Sequence, residues 1–91
     1  MRNEPTLEVT YRHGRPWAAY LFLPREAGQR PTKSRPVGHG LVVDLSKDGT
    51  PLGIEITAPQ KLTMTALNAV LRDLGVTARV RRADLAPVLA A

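Results

Sequence analysis

The sequence predicts an α+β fold: a four-stranded antiparallel β-meander, one C-terminal α-helix packed on one face of it, and a short helical tail. Two observations support this prediction. Up to residue 57, apolar and polar residues alternate in three segments, which is typical of half-buried strands, and a fourth segment, 17–23, is a short apolar run that Pro24 ends. After residue 62 the apolar spacing changes to three and four residues, which is typical of an amphipathic helix. Turn-forming residues lie between the strands, so antiparallel pairing is favoured.

Residues 6–12 and 17–23 are the first two predicted strands. Between them Gly14 tolerates a positive φ and Pro16 cannot donate to a ladder, so residues 13–16 are predicted to form a turn. The apolar face of the first strand consists of Leu7, Val9 and Tyr11. The second strand is predicted to turn Ala19, Leu21 and Leu23 toward the core and Tyr20 and Phe22 toward the opposite face.

Residues 24–40 are predicted to be a long basic loop, because three prolines and three glycines exclude a regular element through most of this segment. Loops of this length in a small domain are usually functional or mobile. Its cations are candidates for contacts with nucleic acid phosphates or with an acidic protein surface: Arg25, Arg30, Lys33 and Arg35. The alternative is a solvated loop whose charge keeps the protein soluble. No aromatic residue lies among these cations, which weakens the nucleic-acid interpretation.

The segment 44–55, DLSKDGTPLGIE, matches the residue spacing of a calcium-binding EF-hand loop. An EF-hand needs a helix on each side of the loop, whereas residues 41–46 and 51–57 alternate with the period of strands. The segment is therefore predicted to be a hairpin with solvated acids, with Gly49 at a positive φ in its turn. Neither a metal nor a cofactor is predicted. The residues predicted to face inward are Leu41, Val43, Leu45, Leu52, Ile54 and Ile56.

Residues 63–75 are predicted to form the helix, with Thr63 as its N-cap and Gly75 at its C-terminal end. Its apolar stripe consists of Met64, Leu67, Val70, Leu71 and Leu74. Residues 76–82 are predicted to be either a short edge strand or an extended loop. Residues 84–90 are predicted to be the helical tail, capped by Asp84 and docked on the core through Leu85, Val88 and Leu89.

The composition limits the function classes. Ninety-one residues make a single domain, 1–91. The net charge of +5 arises in residues 12–35, which hold six cations and one acid. The absence of cysteine excludes disulfides, cysteine zinc ligands and a thiol nucleophile. No apolar run approaches the roughly 20 residues of a membrane helix, and the N-terminus lacks the pattern of a signal peptide. We therefore expect a cytoplasmic protein without a membrane partner.

The sheet face opposite the predicted helix carries Tyr20, Phe22 and Val42 among charged residues. Three large apolar groups on an open face predict a partner protein or a second copy of the chain, and the alternative is cover by the tail or by the basic loop. The only histidines, His13 and His39, lie beside glycines in predicted turns, and no catalytic set converges. We expect a non-enzymatic protein-interaction domain, with nucleic-acid binding through residues 25–35 as the alternative.

Short motifs in residues 7–57 occur in a characteristic order: Tyr11, Ala18-Ala19-Tyr20-Leu21, Gly40-Leu41-Val42-Val43-Asp44-Leu45, Asp48-Gly49 and Leu52-Gly53-Ile54-Glu55-Ile56. This order resembles a widespread small bacterial family of unknown function, whose members carry Tyr-Asp, Asp-Ala-Leu-Tyr-Ile, Val-Val-Asp, Asp-Gly and Val-Gly-Ile-Glu-Ile. Residues 61–75 are similar to its extended members. The chain departs from the pattern at Arg12 and Trp17, which stand where the family has acids.

The resemblance implies a compact β-meander with a helix and no established activity or catalytic residues. Some members of that family accompany small toxin-like proteins, which implies a binding role of the toxin–antitoxin kind.

Overall fold

The computed structural model describes residues 6–76 and 82–89. Five strands come first: β1 (Thr6–Arg12), β2 (Arg15–Phe22), β3 (Lys33–Gly38), β4 (Leu41–Leu45) and β5 (Pro51–Ile56). A 3₁₀ turn (Pro59–Lys61) leads to the helix α1 (Met64–Asp73). A second 3₁₀ turn (Arg82–Leu85) runs into the short helix α2 (Ala86–Leu89). No helix among the described residues is both long enough and apolar enough to cross a membrane.

The strands form one antiparallel sheet in the order β1-β2-β5-β4-β3. The predicted α+β class and antiparallel pairing are confirmed, but the four-stranded meander is corrected in two respects. The sheet has a fifth strand, and β5 rather than β4 pairs with β2. This order places the three most apolar strands at the centre of the sheet and the polar strands β1 and β3 at its edges. A sequential order would instead place β3, five of whose six residues are exposed, at the centre of the sheet.

Strand β3 lies within the segment that was predicted to be a loop. Five of its six residues are exposed, and only Val37 packs partly against the core. An edge strand needs neither an apolar face nor a full set of N–H donors, so Pro36 and the neighbouring charges are tolerated there. Turn-forming residues therefore misled the prediction, because they also occur in edge strands.

Two-residue turns close the hairpins β1–β2 and β3–β4. Arg12 pairs with Arg15 and Gly38 with Leu41, which leaves His13-Gly14 and His39-Gly40 as the turns. Their φ values are 53° and 76° in the first turn and 56° and 71° in the second. A positive φ at both central residues defines the type I′ turn, whose twist matches that of the strands it joins. Both histidines are thus exposed turn residues.

The core lies between the inner face of the sheet and the helical segments. Its strand residues are Ala19, Leu21, Leu41, Val43, Ile54 and Ile56, and its remaining residues are Leu23, Leu62, Leu67, Val70, Leu71, Leu85 and Val88. Thr63 caps α1 as predicted, because its Oγ1 accepts a hydrogen bond of 3.1 Å from the backbone N–H of Ala66.

Gly75 follows α1 with a φ of 71°, as predicted for its C-terminal end. Leu85 and Val88 of the tail are buried as predicted. The side chains of Asp84 and Leu89 and most of the predicted strand or loop 76–82 lie outside the described residues.

Candidate functional site

The outer face is the side of the sheet opposite the helices. Strand register arranges its side chains in two rows across the five strands. The first row is Glu8, Tyr20, Glu55, Val42 and Pro36, and the second is Thr6, Phe22, Gly53, Asp44 and Ser34. The three predicted interface residues, Tyr20, Phe22 and Val42, therefore share one face, and all three are half-buried.

A hydrogen bond crosses this face from β2 to β4. The Tyr20 hydroxyl donates to Asp44 Oδ2 over 2.8 Å, although β5 lies between the two strands. The tyrosine side chain passes over Gly53 to reach the carboxylate. A Cβ at position 53 would lie 2.1 Å from the Tyr20 hydroxyl oxygen, so only glycine leaves room for the bond. A glycine within a strand often marks such a close approach.

The Asp44 carboxylate is buried although it lies on an open sheet face. It is only 7% exposed, and its second oxygen, Oδ1, accepts a hydrogen bond of 2.8 Å from the Ser34 hydroxyl on β3. A buried carboxylate is tolerated when both oxygens have donors. The prediction that the acids of this hairpin are solvated is therefore wrong for Asp44. Burial, followed by the bond to Asp44, raises the pKa of Tyr20 above its ordinary value.

Arg25 also lies on the outer face. Its guanidinium sits 5.6 Å from the centre of the Phe22 ring, and its Nη2 donates to the Leu52 carbonyl over 3.0 Å. Phe22 in turn packs against Tyr20, with ring centroids 4.7 Å apart. Arg25, Phe22 and Tyr20 therefore form a continuous row of contacts, one between a cation and a ring and one between two tilted rings.

The other three cations predicted to contact anions, Arg30, Lys33 and Arg35, are exposed. Because Ser34 reaches Asp44 on the outer face, alternation along β3 turns Lys33 and Arg35 toward the opposite side. The structure thus separates Arg25 from these two cations, and the predicted set of four does not converge on one patch.

The turn between β4 and β5 contains Ser46, Asp48 and Gly49 of the calcium-like pattern, whereas its last acid, Glu55, lies on β5. Asp48 Oδ1 accepts hydrogen bonds from the Ser46 hydroxyl, from the Thr50 hydroxyl at 2.9 Å and from the Thr50 backbone N–H at 3.2 Å. The Ser46 bond is the largest cause that lowers the pKa of Asp48, followed by those of Thr50. Gly49 has the predicted positive φ. Among the described residues, no group of three His, Cys, Asp or Glu could hold a metal ion.

A second surface, at the end of the β1–β2 hairpin, was not predicted from the sequence. Tyr11 and Trp17 are the large hydrophobic residues with the greatest exposure there, at 56% and 57%, and both line one groove. The sequence does contain a pattern that indicates this surface: Tyr11 and Trp17 flank a turn that contains two arginines.

Comparison of the chain with protein-family models, with curated proteins and with solved structures gives no match. The resemblance to the small bacterial family therefore stays a prediction. Three of the residues that carry it lie together on the outer face, where Tyr20 passes over Gly53 and donates a hydrogen bond to Asp44.

Proposed function

We propose that this chain is a non-enzymatic interaction domain that self-associates through the outer face of its sheet. The observation that supports this most directly is that Tyr20, Phe22 and Val42 lie on one face of the sheet and are all partly exposed. In the part of the chain that the structure describes, α1 and the tail pack on the inner face, so neither covers these side chains. An apolar strip of this kind on a layered fold is typical of an interface.

The charges on the outer face favour a second copy as the partner. Glu8 and Glu55 lie on either side of Tyr20, whereas Arg25 lies beyond Phe22 toward the other end of β2. A two-fold axis that sets two β2 strands antiparallel, face to face, brings the acidic end of one copy onto Arg25 of the other. Symmetric dimers need such self-complementary patches.

The size of the face indicates a weak dimer. Five strands spaced by about 4.8 Å make a sheet roughly 24 Å wide. At about 3.3 Å per residue, its strands of five to eight residues are roughly 16–26 Å long, so the face covers about 400–600 Å², less than the roughly 800 Å² that a standard interface buries on each partner. We therefore expect association at micromolar or higher concentrations.

A charge-reversal pair tests the proposal. In a homodimer of the double variant Glu8→Arg with Glu55→Arg, the two new arginines of one copy face Arg25 of the other. In a homodimer of Arg25→Glu, the new glutamate of one copy faces Glu8 and Glu55 of the other. Each variant alone should be monomeric by light scattering over a concentration series. Mixed at equal concentration, the two variants should form a heterodimer, because every opposite-charge contact is restored.

Arg30→Glu is the matched control, because it makes the same charge change at an exposed residue in the segment between β2 and β3. It should leave the dimer unchanged. Circular dichroism of each variant separates loss of the dimer from loss of the fold, which matters because Arg25 also donates to Leu52. A wild-type chain that is monomeric at every concentration, or a mixture that does not associate, would contradict the proposal.

A further inference from the structure

The end of the β1–β2 hairpin is shaped by an irregularity in strand pairing. Thr10 pairs with Ala18, but the next pair joins Tyr11 to Pro16, so Trp17 is an extra residue on β2. A bulge of this kind changes the direction of a side chain and increases the local twist. Here the extra residue is an aromatic one that is more than half exposed.

The bulge contributes to an open groove of about 1070 Å³. The hairpin residues Tyr11 to Trp17 form one wall, and Gln60 and Pro87 contribute from the segments that follow the sheet. The Arg12 guanidinium lies 5.3 Å from the centre of the Trp17 ring. Two exposed aromatic side chains and an arginine thus share one concave surface.

The groove is also positively charged. Arg12 and Arg15 line it, and the described residues around it include no Asp or Glu. The outer face differs, because Glu8 and Glu55 belong to it. A ligand for the groove therefore has planar rings that stack on aromatic side chains and negative charges that meet two guanidinium groups.

We infer that the groove at the end of the β1–β2 hairpin binds single-stranded nucleic acid, with bases stacked on Trp17 and Tyr11 and with phosphates on Arg12 and Arg15. Unpaired bases expose the rings that such stacking needs, whereas a duplex buries them. Stacking tolerates any base, so the site is expected to bind without strong sequence preference. This inference goes beyond self-association and uses different residues.

Trp17 makes the site directly observable, because it is the only tryptophan of the chain. The full-length protein is titrated with single strands of about 12 nucleotides, DNA and RNA, and with a duplex of the same length. At about 20 mM salt, the single strands should change Trp17 fluorescence and bind at least about tenfold more tightly than the duplex.

The variants separate stacking from charge. Tyr11→Ala, measured by anisotropy of a labelled oligonucleotide, should weaken binding about tenfold. Trp17→Ala should do the same, whereas Trp17→Phe should retain most of the affinity because a ring is kept. Arg12→Gln and Arg15→Gln should each lower the slope of log affinity against log salt by about 0.7. The matched control is Lys33→Gln, an exposed cation on the far edge strand, which should leave binding to the groove unchanged.

Three outcomes would overturn the inference. One is the absence of any binding at low salt. Another is equal affinity for duplex and single strand with unchanged Trp17 fluorescence, which indicates charge attraction alone. The last is loss of binding on Lys33→Gln but not on Tyr11→Ala, which would place the site on the segment 25–35 instead. Circular dichroism of each variant tests whether it is folded, and a loss of affinity is assigned to the site only for a folded variant.

Discussion

The outer-face network and the hairpin groove each use aromatic and charged side chains, but they use them in opposite ways. On the outer face, the hydroxyls of Tyr20 and Ser34 each donate a hydrogen bond to the carboxylate of Asp44, which is withdrawn from water. In the groove, Tyr11 and Trp17 are more than half exposed. The first arrangement satisfies polar groups within the chain, whereas the second leaves ring surface available to a ligand.

The two regions also differ in how the chain assembles them. The network joins three different strands, and its hydrogen bonds span 24 and 10 residues. The groove takes its aromatic and cationic residues from one hairpin, between residues 11 and 17. A long-range network depends on the whole sheet and contributes to its stability, while a local surface can change with little effect on the fold. Substitutions should therefore change stability in the first region and ligand affinity in the second.

The largest effect on stability is expected from Gly53→Ala. The new Cβ would lie 2.1 Å from the Tyr20 hydroxyl oxygen, so the ring must move and Asp44 loses a donor while it stays buried. We expect a loss of about 2–3 kcal/mol in the free energy of unfolding, measured by urea denaturation.

The control for this prediction is the same substitution in a Tyr20→Ala background. Without the ring there is no clash, and alanine in a strand is favoured over glycine by roughly 0.5–1 kcal/mol. Gly53→Ala should then be neutral or stabilising. An equal loss in both backgrounds would show that the close approach of Tyr20 is not the cause.

A smaller loss is expected from Tyr20→Phe, which removes the hydroxyl but keeps the ring. A hydrogen bond to a charged group contributes about 1.5–3 kcal/mol, and we expect the lower end because Tyr20 is only half-buried. Tyr11→Phe is the matched control at an exposed tyrosine and should change stability by less than about 0.5 kcal/mol. Equal effects of the two substitutions would contradict a special role for the Tyr20 bond.

The pH dependence gives the same bond a distinct signature. The pKa of Tyr20 is raised in the folded state, so the protonated phenol stabilises the fold fully below its unfolded value of 10.0. That contribution decreases as the pH rises above 10 toward the folded pKa. The stability difference between wild type and Tyr20→Phe should therefore be constant near about pH 8 and smaller near about pH 11. A difference that grows with pH would contradict this assignment.

The sequence was sufficient for the antiparallel sheet, the capped helix and the face on which each central strand residue lies, because alternation and helical spacing are local signals. It was not sufficient for strand β3, whose residues do not alternate, or for the pairing of β2 with β5, since strand order depends on contacts between residues far apart in the sequence. Tyr20 and Asp44 were placed on the correct face, but Ser34, the second donor to Asp44, was not found. That contact depends on a strand whose existence was not predicted.

The smallest effect on stability is expected at the hairpin end. Tyr11→Ala removes an exposed ring, and Trp17→Ala additionally removes the contact with Arg12, which is worth roughly 0.5–1 kcal/mol at an exposed site. Both variants should unfold within about 1 kcal/mol of wild type in urea. A loss as large as that of Gly53→Ala would mean that these rings support the fold and that their exposure has no functional meaning. A near-neutral result, together with weakened oligonucleotide binding, would separate the two regions by measurement: on the outer face the hydroxyl of Tyr20 is bonded within the sheet, whereas in the groove Tyr11 and Trp17 are exposed to contact a ligand.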